Sequence, residues 1–173
     1  MNAITKAESK AGQRNRMLSS DLSLCLGRQG LLKVALDAVQ MIDPERFGID
    51  RLNPPAFRPQ MMMTLLTYCY SASLYGSRDI EWAIRHNQTV RYICARTFPD
   101  WHAIRRFRRR HREIIHECLT YVIKQVWALK FDEGEADYVG YDWFESEFVG
   151  QVQTEALDRL DVAALMDGVE SDG

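Results

Sequence analysis

The sequence has no run of about 18 apolar residues, the length a helix needs to cross a bilayer, so no membrane partner is expected. Cysteine is sparse. Cys25, Cys69, Cys94 and Cys118 stand far apart with no Cys-x-x-Cys pair, which excludes a zinc-ribbon or thioredoxin-like motif and reads as reduced core thiols of a cytoplasmic protein. The histidines His86, His102, His111 and His116 show no metal-ligand spacing with one another or with the cysteines. Gly-x-Ser-x-Gly, the P-loop and Gly-x-Gly-x-x-Gly are all missing, so no nucleophile elbow and no nucleotide cradle is expected, and neither a cofactor nor a metal is implied. Met1 to Arg16 is polar and lacks the apolar centre of a secretory signal. Period-two alternation is nearly absent, which leaves little room for a sheet. Beyond residue 131 one further deficit appears: a single basic residue, Arg159, stands among 13 acidic ones.

Against these absences, 46% hydrophobic residues, four Trp, seven Tyr and seven Phe describe a chain able to build one ordinary core. The formal net charge of −2 conceals a division. Residues 1–131 carry 21 Lys and Arg against 11 Asp and Glu, and the acidic remainder follows. A basic body with an acidic tail suits a protein that meets nucleic acid, where the tail can compete for the basic face; two unrelated solvated surfaces would give the same sums.

Residues 1–20 have no apolar period and are expected to be mobile. Asp21 to Gly27 is a short apolar lead-in. Leu32, Ala35, Leu36, Val39 and Ile42 mark an amphipathic helix from Gln29 or Gly30 to about Ile42, closed by Asp43-Pro44. A loop is expected from Phe47 to Phe57. Pro59 then sits where a helix begins, and Met61 to Ala72 contains no charge, so this helix belongs in the centre with others around it. The three methionines at its start read as core filler. Gly76 closes it, Ser77 can cap the next helix from Arg78 to about Asn87, and Thr89 opens another short one. From 101 to 131 neither Gly nor Pro intervenes, so one long helix is expected; its length is unusual, and a kink near His111 would relieve it. Asp132-Glu133-Gly134-Glu135 reads as a linker. Tyr138, Tyr141, Trp143, Phe144 and Phe148 argue that the acidic segment folds back, and Leu157, Leu160, Ala164 and Leu165 mark a last short helix over 154–166. The fold class is all-α: a compact multi-helix domain at 21–131, preceded by the mobile segment 1–20 and followed by an acidic, partly helical segment at 132–173.

The densest chemistry lies in Phe98-Pro99-Asp100-Trp101-His102-Ala103-Ile104-Arg105-Arg106-Phe107-Arg108-Arg109-Arg110-His111-Arg112, where six arginines fall within eight residues. Asp100 stands where an N-cap belongs. At 100° per residue, Phe107, His111, Ile115, Cys118 and Val122 stay within about 60° of Ile104. Arg105, Arg106, Arg109, Arg110 and Arg112 spread over the other side, which presents guanidinium groups to something acidic, with duplex DNA the leading candidate. Trp101 and His102, at the helix start, are placed to approach bases; for Trp101 a packing contact is the competing reading. Arg108, about 40° from Ile104, lies on the apolar edge. It is expected to bury its stem and form a structural ion pair with Asp79 or Glu81. The helices over 78–87 and 89–95, followed by this one, have the proportions of a helix-turn-helix-like unit.

These residues also carry a resemblance. Pro55-Ala56-Phe57-Arg58-Pro59-Gln60-Met61, Leu65-Leu66-Thr67-Tyr68, Gly76-Ser77-Arg78-Asp79-Ile80-Glu81 and the Pro99-Asp100 to His111 stretch resemble the N-terminal domain of bacterial insertion-sequence DDE transposases of the InsH type, over about residues 21–131. The resemblance implies a domain that holds transposon-end DNA ahead of an RNase H-like catalytic domain bearing three acidic metal ligands. Ser77, Arg78 and Glu81 match the family's Ser-Arg…Glu segment, and Asp100, Phe107, Arg108, Arg109, Arg110 and His111 match its Pro-Asp…Arg-Phe-Arg-Arg-His segment. The chain departs at Trp101-His102-Ala103, where the family usually has histidine followed by small hydroxyl residues. It departs again after Val162-Ala163-Ala164-Leu165-Met166-Asp167-Gly168, which is similar to the strand bearing the family's first catalytic Asp but is followed by only five residues. Asp167 therefore reads as a helix C-terminal residue.

The expectation is a DNA-binding domain without strand transfer of its own, not an enzyme, in the cytoplasm with the nucleoid. Its expected partners are transposon-end duplex DNA, with a second copy or a catalytic transposase chain beside it. The alternative is a protein–protein interaction or regulatory module whose acidic segment covers the basic face or binds a partner.

Overall fold

The structure, a computed structural model, describes residues 19–48, 55–131 and 141–171. Residues 1–18, the expected linker at 132–135 and the side chains of Tyr138, Tyr141, Trp143 and Phe144 lie outside what is described. Among the described residues there are seven α-helices, one 3-10 turn and no strand, so the protein is all-α.

Helix α1 (Ser23–Gln40) joins the apolar lead-in to the amphipathic run. Gly27, at φ +72° and ψ 164°, sets a kink between them, in a region that costs a residue with a Cβ considerably more. Leu31, Leu32, Ala35, Ala38 and Val39 face inward. Cys25, in the turn before the kink, is exposed, unlike the buried Cys69, Cys94 and Cys118; all four thiols are free. The expectation of four core thiols thus fails at Cys25, because that turn buries Leu22 and packs Leu26 on the core while Cys25 takes its solvent side. The Asp43 carboxylate accepts from Glu45 N at 3.0 Å and starts a 3-10 turn, Pro44–Phe47, that buries Phe47 in what reads as loop from sequence.

Helix α2 (Pro59–Ser71) has proline in its first turn, and every residue from Met62 to Ser71 is buried. It contacts α1, α4, α5, α6 and α7, the arrangement a charge-free helix demands. Its hydroxyl stripe is buried too; Thr64 Oγ1 donates to Gln60 O at 2.9 Å. Helix α3 (Ser77–His86) follows, then α4 (Gln88–Ile93), whose N-cap Asn87 accepts from Thr89 N and Val90 N. A turn through Ala95 (φ +47°) and Arg96 (φ +69°) reaches α5 (Trp101–Arg110). Asp100 caps α5 by accepting from Ala103 N at 2.7 Å.

His111 (φ −116°, ψ 26°) separates α5 from α6 (Arg112–Phe131), so the long basic helix is two helices with one residue between them. The last helix, α7 (Tyr141–Ser171), is much longer than the expected 154–166. Its buried residues are Val152, Ala156, Leu160 and Ala163, whereas Leu157 and Leu165, taken from sequence as part of the inner face, are exposed. The stripe is phased differently because Arg159 and Asp167, 5% and 0% exposed, share it with the apolar residues. Phe148 packs edge-on against Trp127 of α6 at 6.0 Å. Helices α1, α2, α6 and α7 form the main core, and α3, α4 and α5 gather on the remaining side of α2.

Candidate nucleic-acid interface

Helix α5 is pinned by Ile104, which is fully buried, and Phe107 is half-buried against the core. With that face inside, the six arginines separate into distinct environments.

Arg108 is 4% exposed and donates to Asp167 Oδ2 at 2.6 Å. Its partner is neither Asp79, which is exposed, nor Glu81, whose carboxylate accepts from Trp101 N at 3.4 Å. The expected pairing within the 78–112 unit is replaced by one from α7, because Asp167 reaches the buried edge of α5 and the surface carboxylate of Asp79 does not. Arg105 is also drawn in: its side chain is 16% exposed and Nε lies 3.7 Å from Asp167 Oδ2. Arg112 donates to Asp161 Oδ1 at 2.5 Å across an exposed surface. Only Arg106, Arg109 and Arg110 are exposed and have no acidic partner among the described residues.

Asp167 is thus a hub. Beyond the two arginines it accepts from Ser77 N and Ser77 Oγ, both at 2.9 Å. Gly76 occupies the N-cap of α3 and has no side chain to offer, while Ser77, expected to be the cap, is the first helical residue. A carboxylate 90 residues away therefore caps α3, and its charge also suits the positive end of that helix. Two turns earlier on the same face of α7, Arg159 performs the converse task. Its Nη1 donates to Tyr70 O at 2.7 Å, Ser71 O at 3.3 Å and Ser20 O at 2.8 Å, and its Nη2 to Glu155 at 3.0 Å. The guanidinium sits on the carbonyl end of α2, where a cation is favoured. Helix α7 therefore spans the α2–α3 turn, cation on one helix end and anion on the other.

The sequence alone passes over Arg159 and marks Asp167 only as a helix C-terminal residue, without its partners. A signal existed: Arg159 is the single base after residue 131, and together with Asp167 it falls in register with Val152, Ala156, Leu160 and Ala163.

Aromatic rings gather at the start of α5 and along α3. Trp101, half-buried, stacks on the exposed His102 at 3.5 Å, with the Arg78 and Arg105 guanidiniums 4.7 and 5.4 Å from its centroid. Trp82, 63% exposed, stacks on His86 at 4.0 Å, and Arg85 lies 5.9 Å from the ring of Phe98. Trp101 thus packs at the start of α5 and keeps one side toward solvent. At the other end of α5, burial and the neighbouring Arg110 charge lower the His111 pKa below its usual 6.5, so the ring favours its neutral form. Among the described residues no three or more His, Cys, Asp or Glu side chains gather into a set that could hold a metal ion, and no helix is long and apolar enough to cross a membrane.

Comparison with curated proteins and with solved structures gives no match. Comparison with family models does: residues 40–110, from the end of α1 through the last residue of α5, match the family described as Transposase domain (DUF772). The matched stretch is under half of the chain and contains neither α6 nor α7, so the hub residues Arg159 and Asp167 reach into it from outside. Over residues 40–110 the chain is thus similar to a transposase domain.

Proposed function

We propose that the chain binds the duplex ends of a mobile element through the open side of α5, without strand transfer of its own, in the cytoplasm with the nucleoid DNA. The observation that carries this reading is the trio Arg106, Arg109 and Arg110, exposed and, among the described residues, unmatched by carboxylates on a helix that lies inside the transposase-domain match. Guanidiniums in that state contact phosphates at little desolvation cost and can read guanine edges where the groove allows. Helices α3, α4 and α5 then act as a helix-turn-helix-like unit with α5 presented to the duplex, and His102 and Trp101 lie at its leading end. Arg105 and Arg112, engaged by Asp167 and Asp161, contribute less than the sequence alone suggests. The carboxylates for phosphoryl transfer would come from elsewhere in the transposition machinery. A second copy or a catalytic transposase chain has a surface available in the exposed Leu157, Leu165 and Val169 of α7.

The test is fluorescence anisotropy with a labelled duplex carrying the terminal inverted repeats that flank the coding sequence, beside a scrambled duplex. Tighter binding to the repeats supports the reading; no binding to either duplex at low salt rejects it.

A regulatory reading has its own observation, the two α7 carboxylates already on arginines of the basic stretch. Asp161→Asn separates the two. If α7 restrains DNA binding, freeing Arg112 raises affinity several-fold; if the Asp161 contact is only a surface pair, affinity stays within about twofold.

A further inference from the structure

Where α5 gives way to α6, a cavity of about 520 Å³ is lined by Arg46, Arg109, Arg110, His111, Arg112, Glu113 and Ile114. Four guanidiniums from three elements surround it against one carboxylate in the lining. Two of them are committed elsewhere: Arg46 makes a two-pronged bond to Glu117 with both distances 2.7 Å, and Arg112 holds Asp161. Arg109 and Arg110 are not committed among the described residues, and the Arg110 Nη2 extends over the end of the 3-10 turn, 3.9 Å from where a Cβ on Gly48 would stand.

Residues 112–114 are the first turn of a 20-residue helix, whose N–H groups have no carbonyl behind them within it; the ladder begins with Ile115 N to His111 O. The helix dipole does not decide the matter, because α5 ends at the same place and its carbonyl end opposes the N-terminus of α6. A second feature does point to a ligand. His111 is 91% buried, packs its ring between Phe47 (5.8 Å) and Phe107 (4.4 Å), borders the cavity, and has no hydrogen-bond partner among the described residues. Its ring nitrogens are not among the fully enclosed unpartnered atoms, so the polar edge of the ring stays reachable by a ligand.

We propose that this cavity is a phosphate site in which Arg109, Arg110, the His111 ring and the first amides of α6 converge on one tetrahedral oxyanion, with Arg46 at the rim. A neutral imidazole supplies one N–H donor, the helix turn supplies backbone donors, and the two uncommitted guanidiniums supply charge, the combination that phosphate recognition uses. The oxyanion belongs either to a duplex backbone or to a free phosphate. In the first case the site rests on the DNA-binding reading above and fixes the register of α5 on the duplex.

The experiment follows the His111 ring protons and the amides of residues 112–114 by NMR on the full chain. One arm titrates inorganic phosphate in place of chloride at constant ionic strength; the other adds a short duplex. Saturable movement of these resonances is expected in the phosphate arm. Arg110→Gln, an exposed substitution, should weaken it about tenfold. Lys33→Gln, on helix α1 and outside the cavity lining, removes the same charge and should leave it unchanged. Shifts that grow linearly without saturation, or that survive Arg110→Gln, overturn the site. If phosphate saturates the cavity and no duplex binds, the site stands for free phosphate and the DNA reading falls. If a duplex binds while His111 and 112–114 stay still in both arms, the DNA reading stands and this site is rejected.

Discussion

Arg108 and Arg109 are adjacent in sequence and opposite in circumstance. Arg108 is 4% exposed and bonded to the fully buried Asp167; Arg109 lies on the surface with no acidic partner among the described residues. One 100° step of the helix separates a charge that holds the fold together from a charge available to a ligand. The same contrast divides the whole set: Arg159 and Arg108 belong to the interior, Arg106, Arg109 and Arg110 to the surface, and Arg105 and Arg112 stand between. Residue type and local density of charge therefore say little about role. What decides is whether a carboxylate or a helix end waits at the other side.

The largest test of that contrast is Asp167→Ala. It leaves Arg108 without its partner and α3 without its cap, so unfolding in urea should show a loss of about 3–5 kcal/mol, the range for breaking a buried ion pair from one side. A loss below about 1 kcal/mol would mean that Arg108 relaxes to solvent and that the interior class does not exist. Arg159→Ala comes next. It strips the carbonyls of Tyr70 and Ser71 of a buried donor and should cost about 2–3 kcal/mol, read from the same denaturation curves. For the surface class the same measurement should barely move: Arg109→Gln or Arg110→Gln is expected within about 0.5 kcal/mol of the parent. Each should instead weaken duplex binding almost independently of sequence and reduce the salt slope by about one.

His111 lies on the boundary between the classes and gives the smallest effect, one of pH. Its folded-state pKa is below the usual 6.5, so between those two values the unfolded chain binds more protons than the native one. Stability is thus lost as pH falls through about 6.5 toward the native pKa, and His111→Phe should flatten that part of the stability profile. An unchanged profile would show that the ring gains its proton as easily inside as out.

Features set by local rules were legible in the sequence. Pro59 and Asp100 mark helix starts, because each depends on residues within a turn or two, and the uncharged Met61–Ala72 run marks a central helix. Over 101–131 the sequence predicts one long helix with a kink near His111 as relief, and the chain breaks there into two. Features set by tertiary pairing were not. The bond from Arg108 to Asp167 crosses 59 positions, and Asp79 and Glu81 were nearer candidates in the chain that the fold turns elsewhere. Helix α7 was misphased for the same reason. Hydrophobic periodicity assigns charged residues to the outside, yet Arg159 and Asp167 are buried, since two helix termini and two arginines satisfy them. The kink at Gly27 likewise depends on a backbone angle that composition does not reveal. Position 167 suggested a helix end without its role, although the lone base at 159 and its register with Asp167 held the clue.

One measurement bears most directly on the division of the arginines: the salt dependence of duplex affinity for the full chain, by anisotropy, beside that of the triple variant Arg106→Gln, Arg109→Gln, Arg110→Gln. If the five arginines assigned to DNA from sequence all neutralised phosphates, log K against log[salt] would fall with a slope of about −4 to −5. With three free guanidiniums it should fall with a slope of about −3, and the triple variant should approach zero slope while unfolding at the same urea concentration as the parent. A slope of about −5, or a triple variant that binds as the parent does, would contradict the account.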